Sequence, residues 1–294
     1  MIILVTGSSG FFGKEVVRLL QGHSIYTLNR YEGNFQHDLS LSVTNFDVDF
    51  DIVIHAAGKA HVTPNSNSEI DSFFKINVHG VKNLLIGLEK RIPKKFVFIS
   101  SVAVYGLEGG VNITESESLA AKDPYGISKI QAEDLIVNWC RSRNVTCTIL
   151  RLPLLVGQNP PGNLGNMIKA IKKKYYFNID DGNAKKSMVL AEDVAKFIPI
   201  VSSIGGIYNL TDGYHPSFKE LSNAIAKKNT PNLNLSFAKI LGKFGDFVGD
   251  IFPLNSEKVM KMTNDLTFDD SKAREIGWNP RLVLEFLNKY CLIS

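Results

Sequence analysis

Short apolar runs alternate with longer amphipathic stretches through the first half of the chain. Five of the runs are unbroken: IILVT (2–6), IYTL (25–28), DIVIHAA (51–57), FVFIS (96–100) and TCTILR (146–151). Unbroken runs of this length are typical of parallel strands that are covered on both faces. Helical patterns lie between them, near 11–21, 69–90 and 124–142. The pattern predicts an α/β fold with a Rossmann-type, doubly wound parallel sheet.

The pattern changes after Arg151, where GQNPPGNLGN (157–166) is rich in Pro, Gly and Asn and strand-like runs become scarce. We therefore expect a main domain over 1–156 and a smaller C-terminal α/β lobe over 157–294. The run IYNL (207–210) is a candidate to return to the main sheet as a strand near 205–211.

One stretch of the second half, 238–252, has apolar residues at helical spacing. They are Ile240, Leu241, Phe244, Phe247, Val248, Ile251 and Phe252. Such a stripe either docks on a membrane surface or packs on the protein's own core. The polar positions mix Lys239 and Lys243 with Asp246 and Asp250 instead of being uniformly basic, which favours packing on the core.

Composition narrows the class of protein. The 294 residues are 44% apolar and 21% charged, with a net charge of +4, so no nucleic-acid partner is predicted. The three cysteines, Cys140, Cys147 and Cys291, lack metal-site spacing, and no metal site or disulfide framework is expected. The sequence contains no apolar run long enough to span a membrane, and a cytoplasmic location fits best.

The stretch VTGSSGFFG (5–13) follows the first predicted strand and opens the first predicted helix. Gly7, Gly10 and Gly13 permit a tight turn, close approach of a pyrophosphate, and close packing of helix on strand. The helix N-terminus offers free N–H groups to phosphate. This context predicts a dinucleotide site.

The end of the second predicted strand, LNRY, bears on which dinucleotide binds. A carboxylate at this point would hold the ribose of NAD, whereas an arginine would accommodate the extra phosphate of NADP. The chain has Asn29 and Arg30, which favours NADP. The alternative is that Arg30 is an ordinary exposed loop charge.

The stretch DPYGISK (123–129) predicts a helix start, with Asp123 as N-cap and Pro124 in the first turn. Tyr125 and Lys129 are four apart and share a helix face. FISSVAVYG (98–106) places two serines at the end of a strand, at the edge where open α/β sheets bind ligands. An ammonium beside Tyr125 would favour the phenolate and suit the tyrosine to base catalysis.

Together these motifs resemble the extended branch of the short-chain dehydrogenase/reductase superfamily, which contains nucleotide-sugar epimerases, dehydratases and reductases. The similarity covers nearly the whole chain and includes FDDSKAREIGWNP (268–280) near its end. The resemblance implies a catalytic set of Ser101, Tyr125 and Lys129, with Tyr125 as general acid/base, Ser101 bonded to the reacting oxygen, and Lys129 on the nicotinamide ribose. It implies cofactor contacts at Gly7, Ser9, Gly10, Phe11, Phe12, Gly13, Asn29, Arg30, Asp38, Leu39, Ala56, Ala57, Gly58, Asn77, Ser100, Tyr125 and Lys129.

The resemblance implies that 1–156 is an NAD(P)-binding Rossmann domain and that the second lobe, 157–294, mainly binds the nucleotide sugar. The implied substrate contacts are Ser101, Val102, Asn163, Phe177 and Lys186. Lys186 stands where the family often has arginine, which leaves a charge for the diphosphate but removes the bidentate fork. A homodimer is compatible with these expectations.

The resemblance leaves the reaction open. Ser101, Val102 and Ala103 stand where dehydratases have a threonine and an acidic pair, which disfavours dehydration. We expect a 4-keto reductase of a UDP-N-acetyl-deoxyhexose with NADP as cofactor; the alternative is an NAD-dependent UDP-sugar 4-epimerase, although Leu154 replaces an asparagine common in that group. A non-catalytic NADP-sensing protein is a third interpretation, disfavoured by the complete catalytic set.

Overall fold

The computed structural model describes residues 1–60, 64, 66–249 and 254–290. Its strands are β1 Ile2–Thr6, β2 Ser24–Asn29, β3 Phe35–Gln36, β4 Ile52–His55, β5 Lys95–Ser101, β6 Gly110–Ile113, β7 Thr146–Leu152, β8 Leu154–Val156, β9 Asn178–Ile179, β10 Met188–Leu190, β11 Gly206–Asn209, β12 Asn232–Leu233 and β13 Leu266–Phe268. Its α-helices are α1 Phe11–Leu19, α2 Asn67–Phe74, α3 Gly80–Leu88, α4 Pro124–Arg143, α5 Gly162–Lys172, α6 Ala191–Val201, α7 Phe218–Ala226, α8 Leu235–Val248, α9 Ser256–Thr263, α10 Ser271–Arg274 and α11 Val283–Tyr290.

Seven strands form the main sheet in the order β11–β7–β5–β4–β1–β2–β3, and every neighbouring pair is parallel. After β1 the chain adds β2 and β3 on one side of that strand, and it then crosses to the other side, where it adds β4. This reversal of direction creates the crevice in which such sheets bind ligands. The predicted doubly wound α/β fold is confirmed, and the run at 207–210 lies in the sheet as most of β11.

Apolar clusters cover both faces of the sheet. One face packs Val5 and Ile54 against Val16 of α1 and Val194 of α6. The other packs the alternate strand residues against α3 and α4, through residues such as Leu84 and Ile136. Burial on both sides explains why the strands read as continuous apolar runs.

Local chemistry sets the bounds of α4. The Asp123 carboxylate accepts a hydrogen bond of 3.0 Å from the backbone N–H of Gly126, and Pro124 stands in the first turn. The helix ends at Asn144, which adopts the left-handed conformation with a φ of 56°. The predicted start is confirmed.

The helix expected over 69–90 is interrupted. A π-helical turn, Lys75–His79, separates α2 from α3 and contains the buried Asn77. Periodicity alone did not reveal this turn, since a single wide turn shifts the apolar stripe only slightly. π-turns occur frequently at functional sites.

The second lobe is built from two-stranded pairs, β8–β10, β9–β12 and β6–β13, with helices packed around them. In α8 the residues turned inward are Ala238, Gly242 and Gly245. Four large side chains are exposed: Phe237 by 52%, Ile240 by 63%, Phe244 by 53% and Phe247 by 91%. The prediction that this stripe packs on the core holds for Leu241, which joins an apolar cluster, and is wrong for Ile240, Phe244 and Phe247, because small residues occupy most of the inner face. Ile251, Phe252 and Asp250 lie outside the described residues.

In the described part of the chain, no helix is long and apolar enough to cross a membrane, and no group of His, Cys, Asp and Glu is arranged to hold a metal ion. Cys140 is buried and Cys147 half-buried, both as free thiols. Cys291 lies outside the described residues.

Candidate active site at the carboxyl edge of the sheet

The glycine loop between β1 and α1 is shaped for a close-lying ligand. Gly7 has a φ of +71°, and a Cβ there would come within 2.6 Å of the Ala57 nitrogen. A Cβ on Gly13 would lie 2.1 Å from the Gly7 carbonyl oxygen, so only glycine lets α1 approach the loop. The helix begins at Gly10 without a side-chain cap, which leaves its first N–H groups free of intrahelical partners. These features fit a dinucleotide pyrophosphate.

The side chain of Asn29 is hydrogen-bonded to the glycine loop. Its Nδ2 donates to Ser8 Oγ at 2.6 Å, and its Oδ1 accepts from the Ser9 N–H and hydroxyl, each at 3.3 Å. Asn29 therefore supports the glycine loop, and its predicted cofactor contact stays a prediction. Arg30 is exposed, with its guanidinium 5.5 Å from the ring centre of Tyr31.

Tyr125, in the first turn of α4, reaches Ser101 at the end of β5. The Ser101 hydroxyl is near enough to the phenol to act on its pKa, and the Tyr125 ring lies 6.1 Å from that of Phe73. Burial raises the pKa of the phenol; the Ser101 hydroxyl opposes this rise, and Asp123 adds to it. The Ser101 hydroxyl also accepts from the Ala103 N–H at 3.2 Å.

Lys129 is buried one turn along α4. Its Nζ donates to the Ile99 carbonyl oxygen at 2.8 Å and lies 4.6 Å from the ring centre of Phe98. Burial lowers the pKa of Lys129 to about 8, and Glu133 partly opposes this shift. The predicted acidification of Tyr125 by Lys129 is not present in this arrangement, because the phenol pKa is raised and the ammonium is bonded to strand β5.

Nζ of Lys129 nevertheless stands at the crevice. It lies 3.5 Å from the point where a Cβ of Gly58 would be, and Gly58 is exposed at the end of the segment that follows β4. Ala56 and Ala57 of that segment bond through their N–H groups to the backbone and side-chain oxygens of Thr6. The loops after β1 and β4 are thereby tied together.

Asn77 fixes this segment from the π-turn. Its Oδ1 accepts from the Lys59 N–H at 2.7 Å, and its Nδ2 donates to the Lys59 carbonyl at 3.1 Å and to Ser128 Oγ at 2.9 Å. The amide joins the loop after β4 to α4. Asn77 thus positions the backbone of this loop through protein contacts, and its expected cofactor contact stays a prediction.

Several other predicted cofactor residues are largely buried. The side chains of Phe12 and Leu39 belong to the two core clusters, and their cofactor contacts stay predictions. Phe11 is half-buried against Gly157. Burial would raise the pKa of Asp38, but bonds from the Ser40 hydroxyl and N–H, with Arg30 and Lys75 nearby, lower it.

Two of the predicted substrate residues, Ser101 and Val102, lie at the end of β5, and Asn163, Phe177 and Lys186 are spread over the second lobe. Burial lowers the pKa of Lys186, while Glu108 and Asp265 oppose this effect. The charges of Glu108 and Asp123 both raise the pKa of Lys261. Because Glu108 also acts on Lys186, the surroundings of Lys186 lie close to the start of α4. Asn163 is exposed on α5, Val102 lies half-buried after Ser101, and Phe177 is half-buried beside α8.

A family model described as the NAD dependent epimerase/dehydratase family matches residues 3–210, more than two thirds of the chain. The chain belongs to the NAD dependent epimerase/dehydratase family. It is therefore an enzyme that uses a nicotinamide dinucleotide, and the glycine loop and Lys129 have the features that such a cofactor requires.

The similarity to known proteins extends over nearly the whole length of the chain. The N-acetyl-α-D-glucosaminyl-diphospho-ditrans,octacis-undecaprenol 4-epimerase of Escherichia coli O157:H7 is 26% identical, over 94% of this chain and 89% of its own. The UDP-glucose 4-epimerase of Vibrio cholerae is also 26% identical, over 96% and 92%. The structure of the Thermus thermophilus UDP-glucose 4-epimerase with NAD has the same fold, with a TM-score of 0.73 and 21% identity over 99% and 98%.

Sequence reasoning missed a buried ionic network behind the active site of this epimerase/dehydratase. Glu133 of α4 accepts from Arg151 of β7 at 2.7 Å and from the Ser100 hydroxyl at 2.5 Å. Arg151 also donates to Tyr105 Oη at 3.1 Å. The Ser100 hydroxyl is therefore engaged by the buried network, and its predicted cofactor contact stays a prediction. The sequence offered two signals of this network: Arg151 stands at the end of an apolar strand, and Glu133 follows Lys129 by one helical turn.

His55 was also not singled out. Its Nδ1 lies 2.7 Å from Thr6 Oγ1, and its ring stacks on Phe98 at 5.7 Å. Burial lowers its pKa to about 3, with Lys129 contributing, so the ring is neutral near pH 7. In the described structure Nε2 has no hydrogen-bond partner. This neutral ring forms part of the apolar floor beneath Lys129.

Proposed function

We propose that this enzyme is an NAD(P)-dependent 4-epimerase that inverts C4 of a sugar carried on a diphosphate. The observation that carries the proposal is the pairing of Tyr125 with Ser101 at the carboxyl edge of the sheet, with Lys129 one turn away, in a chain similar over its whole length to 4-epimerases. The relatives support the 4-epimerase alternative and do not support the 4-keto reductase expected from the sequence.

The roles of the residues follow from their placement. The Tyr125 phenol gives a proton to the sugar 4-oxygen or takes one from it, and the Ser101 hydroxyl bonds the same oxygen and stabilises developing charge. A nicotinamide dinucleotide, when bound, supplies the hydride chemistry at C4. The glycine loop would hold its pyrophosphate, Lys129 the ribose beside the nicotinamide, and Arg30 a 2′-phosphate if the cofactor is NADP.

Lys129 and Tyr125 act as a coupled pair in this scheme. A tyrosine whose pKa is raised is a poor base near neutrality, so the phenol is the protonated partner until positive charge approaches it. A short reorientation of the Lys129 ammonium away from Ile99 would supply such charge. The depressed pKa of Lys129 keeps this ammonium close to its own titration range.

The substrate is a sugar diphosphate, and Lys186 is the cation that we assign to the diphosphate. A nucleoside diphosphate is the first candidate for the carrier. A diphosphate joined to a polyprenol, as in the name of the Escherichia coli relative, is the second.

Conversion of UDP-N-acetylglucosamine by the purified protein, without added cofactor, tests the reaction. We expect a mixture of the two C4 epimers, measured by NMR, with no net change in reduced nicotinamide. Tyr125→Phe, at the same cofactor content, is the control and should give no epimer. Stoichiometric oxidation of NADPH with a 4-keto sugar, and no epimer formation, would establish the reductase instead.

A further inference from the structure

The outer face of α8 carries an exposed apolar band. Phe237, Ile240 and Phe247 are spaced by three and seven residues and so lie on one side of the helix. They are exposed by 52%, 63% and 91%. Large apolar side chains scattered singly need no explanation, but several on one helix face mark an interaction surface.

The inner face of α8 fixes the helix to the lobe through small residues. Ala238, Gly242 and Gly245 are buried, and a Cβ on Gly242 would lie 3.2 Å from the Ser256 backbone. Leu235 and Leu241 pack with Ile179 in one apolar cluster. The helix is thus anchored by close backbone packing and by two leucines, while Phe237, Ile240 and Phe247 point outward.

Two lysines border this band. At 100° per residue, Lys243 falls about 40° from Phe247 around the helix and Lys239 about 40° farther on, so both exposed lysines lie along one edge of the band. The acid on the same edge, Asp246, is tied to the start of α9, where it accepts from the Ser256 N–H at 3.0 Å. An apolar band edged by lysines is the arrangement of helices that lie in the headgroup region of a bilayer.

We propose that the outer face of α8 docks the enzyme on an anionic lipid bilayer. The aromatic and aliphatic side chains would enter the headgroup boundary, and Lys239 and Lys243 would meet the lipid phosphates. Phe177, the predicted substrate contact, belongs to the same apolar cluster as the inner residues of α8, so docking brings the substrate lobe to the membrane. The purpose of this contact rests on the proposed function with a polyprenol carrier; the contact itself rests on exposure and charge.

Sedimentation with phosphatidylcholine vesicles, with and without phosphatidylglycerol, tests the docking in the absence of any substrate. We expect binding to the mixed vesicles. Lys239→Ala with Lys243→Ala should weaken it by about fivefold for each lysine. Phe237→Ser with Phe247→Ser should weaken binding to all vesicles at least about tenfold.

Matched controls separate docking from folding and from catalysis. Ile200→Ser removes an apolar side chain of similar exposure, 51%, from α6 and should leave vesicle binding unchanged. All variants should retain the turnover of the wild type on UDP-N-acetylglucosamine. Vesicle binding without any epimerase activity would support the docking and reject the proposed function.

Two results would overturn the docking. One is wild-type protein that stays in the supernatant with both vesicle types. The other is a dimer, measured by light scattering, that Phe237→Ser with Phe247→Ser converts to a monomer, because a second copy of the chain would then cover this face.

Discussion

The cofactor side of the crevice and the substrate lobe differ in how many of their side chains are bonded to or covered by other parts of the protein. On the cofactor side the polar groups are paired: Lys129 with Ile99, and Asn77 with Lys59 and Ser128. In the substrate lobe Asn163 is exposed, Lys186 half-buried, and the large side chains of α8 face outward. The first region is preorganised by its own contacts, whereas the second presents groups to molecules outside the chain.

The difference has a structural cause. Parallel strands that end at one edge bring Thr6, His55 and Phe98 side by side on a rigid sheet, with Ser101 at the end of the same strand as Phe98. The second lobe is assembled from pairs of strands of only two to four residues, such as β9–β12. Short pairs of strands leave a larger part of each side chain exposed, where a ligand or another molecule can cover it. Perturbing each region should therefore have different consequences.

Replacement of Tyr125 by phenylalanine should have the largest effect on the preorganised side. Loss of a positioned acid/base should lower kcat by about 10² to 10⁴, with cofactor affinity nearly unchanged. Steady-state kinetics and a cofactor titration measure the two effects. Tyr208→Phe is a matched control, because that phenol bonds only the Gly205 carbonyl in the described structure, and its turnover should be normal. Normal turnover of Tyr125→Phe would remove it from the mechanism.

Arg151→Leu tests whether the buried network supports the same edge. The change leaves the Glu133 carboxylate buried without its cation, which should lower the free energy of unfolding by about 3 to 5 kcal/mol. Urea unfolding followed by circular dichroism gives the value. The double variant with Glu133→Leu should recover most of the loss. A change below about 1 kcal/mol would mean that the pair is not isolated from solvent.

Lys186→Ala probes the substrate lobe. Loss of a charged hydrogen bond to the diphosphate should weaken UDP binding by about 1 to 3 kcal/mol, measured by calorimetry. Lys185→Ala is the natural control, because the neighbouring Lys185 is exposed and its removal should have little effect. Equal affinities for Lys186→Ala and wild type would exclude Lys186 from the diphosphate site.

Arg30→Ala tests the choice of dinucleotide. If Arg30 meets a 2′-phosphate, the wild type should bind NADPH about tenfold more tightly than NADH, some 1.4 kcal/mol. The variant should lose most of this preference and keep its affinity for NADH, as fluorescence titrations can show. Tightly retained NAD in the purified protein, or a preference for NADH, would reject NADP.

The pH dependence of cofactor affinity should reveal the titration of Lys129. Its pKa is lowered to about 8, so its charge is present at pH 7 and is lost as the pH rises through 8. Affinity that depends on this charge should fall about fourfold between pH 7 and 8.5. Lys129→Met should bind more weakly, with a flat profile over that range. A flat wild-type profile would place the ammonium away from the ribose.

The stability linked to Lys129 has the opposite trend. Its pKa is lower in the folded protein than its ordinary 10.5, so the unfolded chain binds more protons between about pH 8 and 10.5. The contribution of this group to stability therefore rises with pH in that window.

Much of the fold was determined by local sequence. The unbroken apolar runs predicted β1, β2, β4, β5 and β7, because strands buried on both faces need an apolar residue at every position. Asp123 and Pro124 marked the start of α4, and a spacing of four indicated the shared face of Tyr125 and Lys129. The glycines at 7 and 13 were identifiable because no other residue fits those contacts.

Tertiary contacts decided what local patterns leave open. Periodicity says which residues of α8 share a face, but only the competition between small and large residues for the lobe surface decided that Ala238 and Gly242 face inward and Phe247 outward. The bond of Lys129 to Ile99, the turn of Ser100 towards Glu133, and the capture of Asn29 by Ser8 each join residues more than 20 positions apart. A side chain's partner is set by which buried polar group lies nearest in space, since each must be satisfied, and the order of residues along the chain does not specify that neighbour.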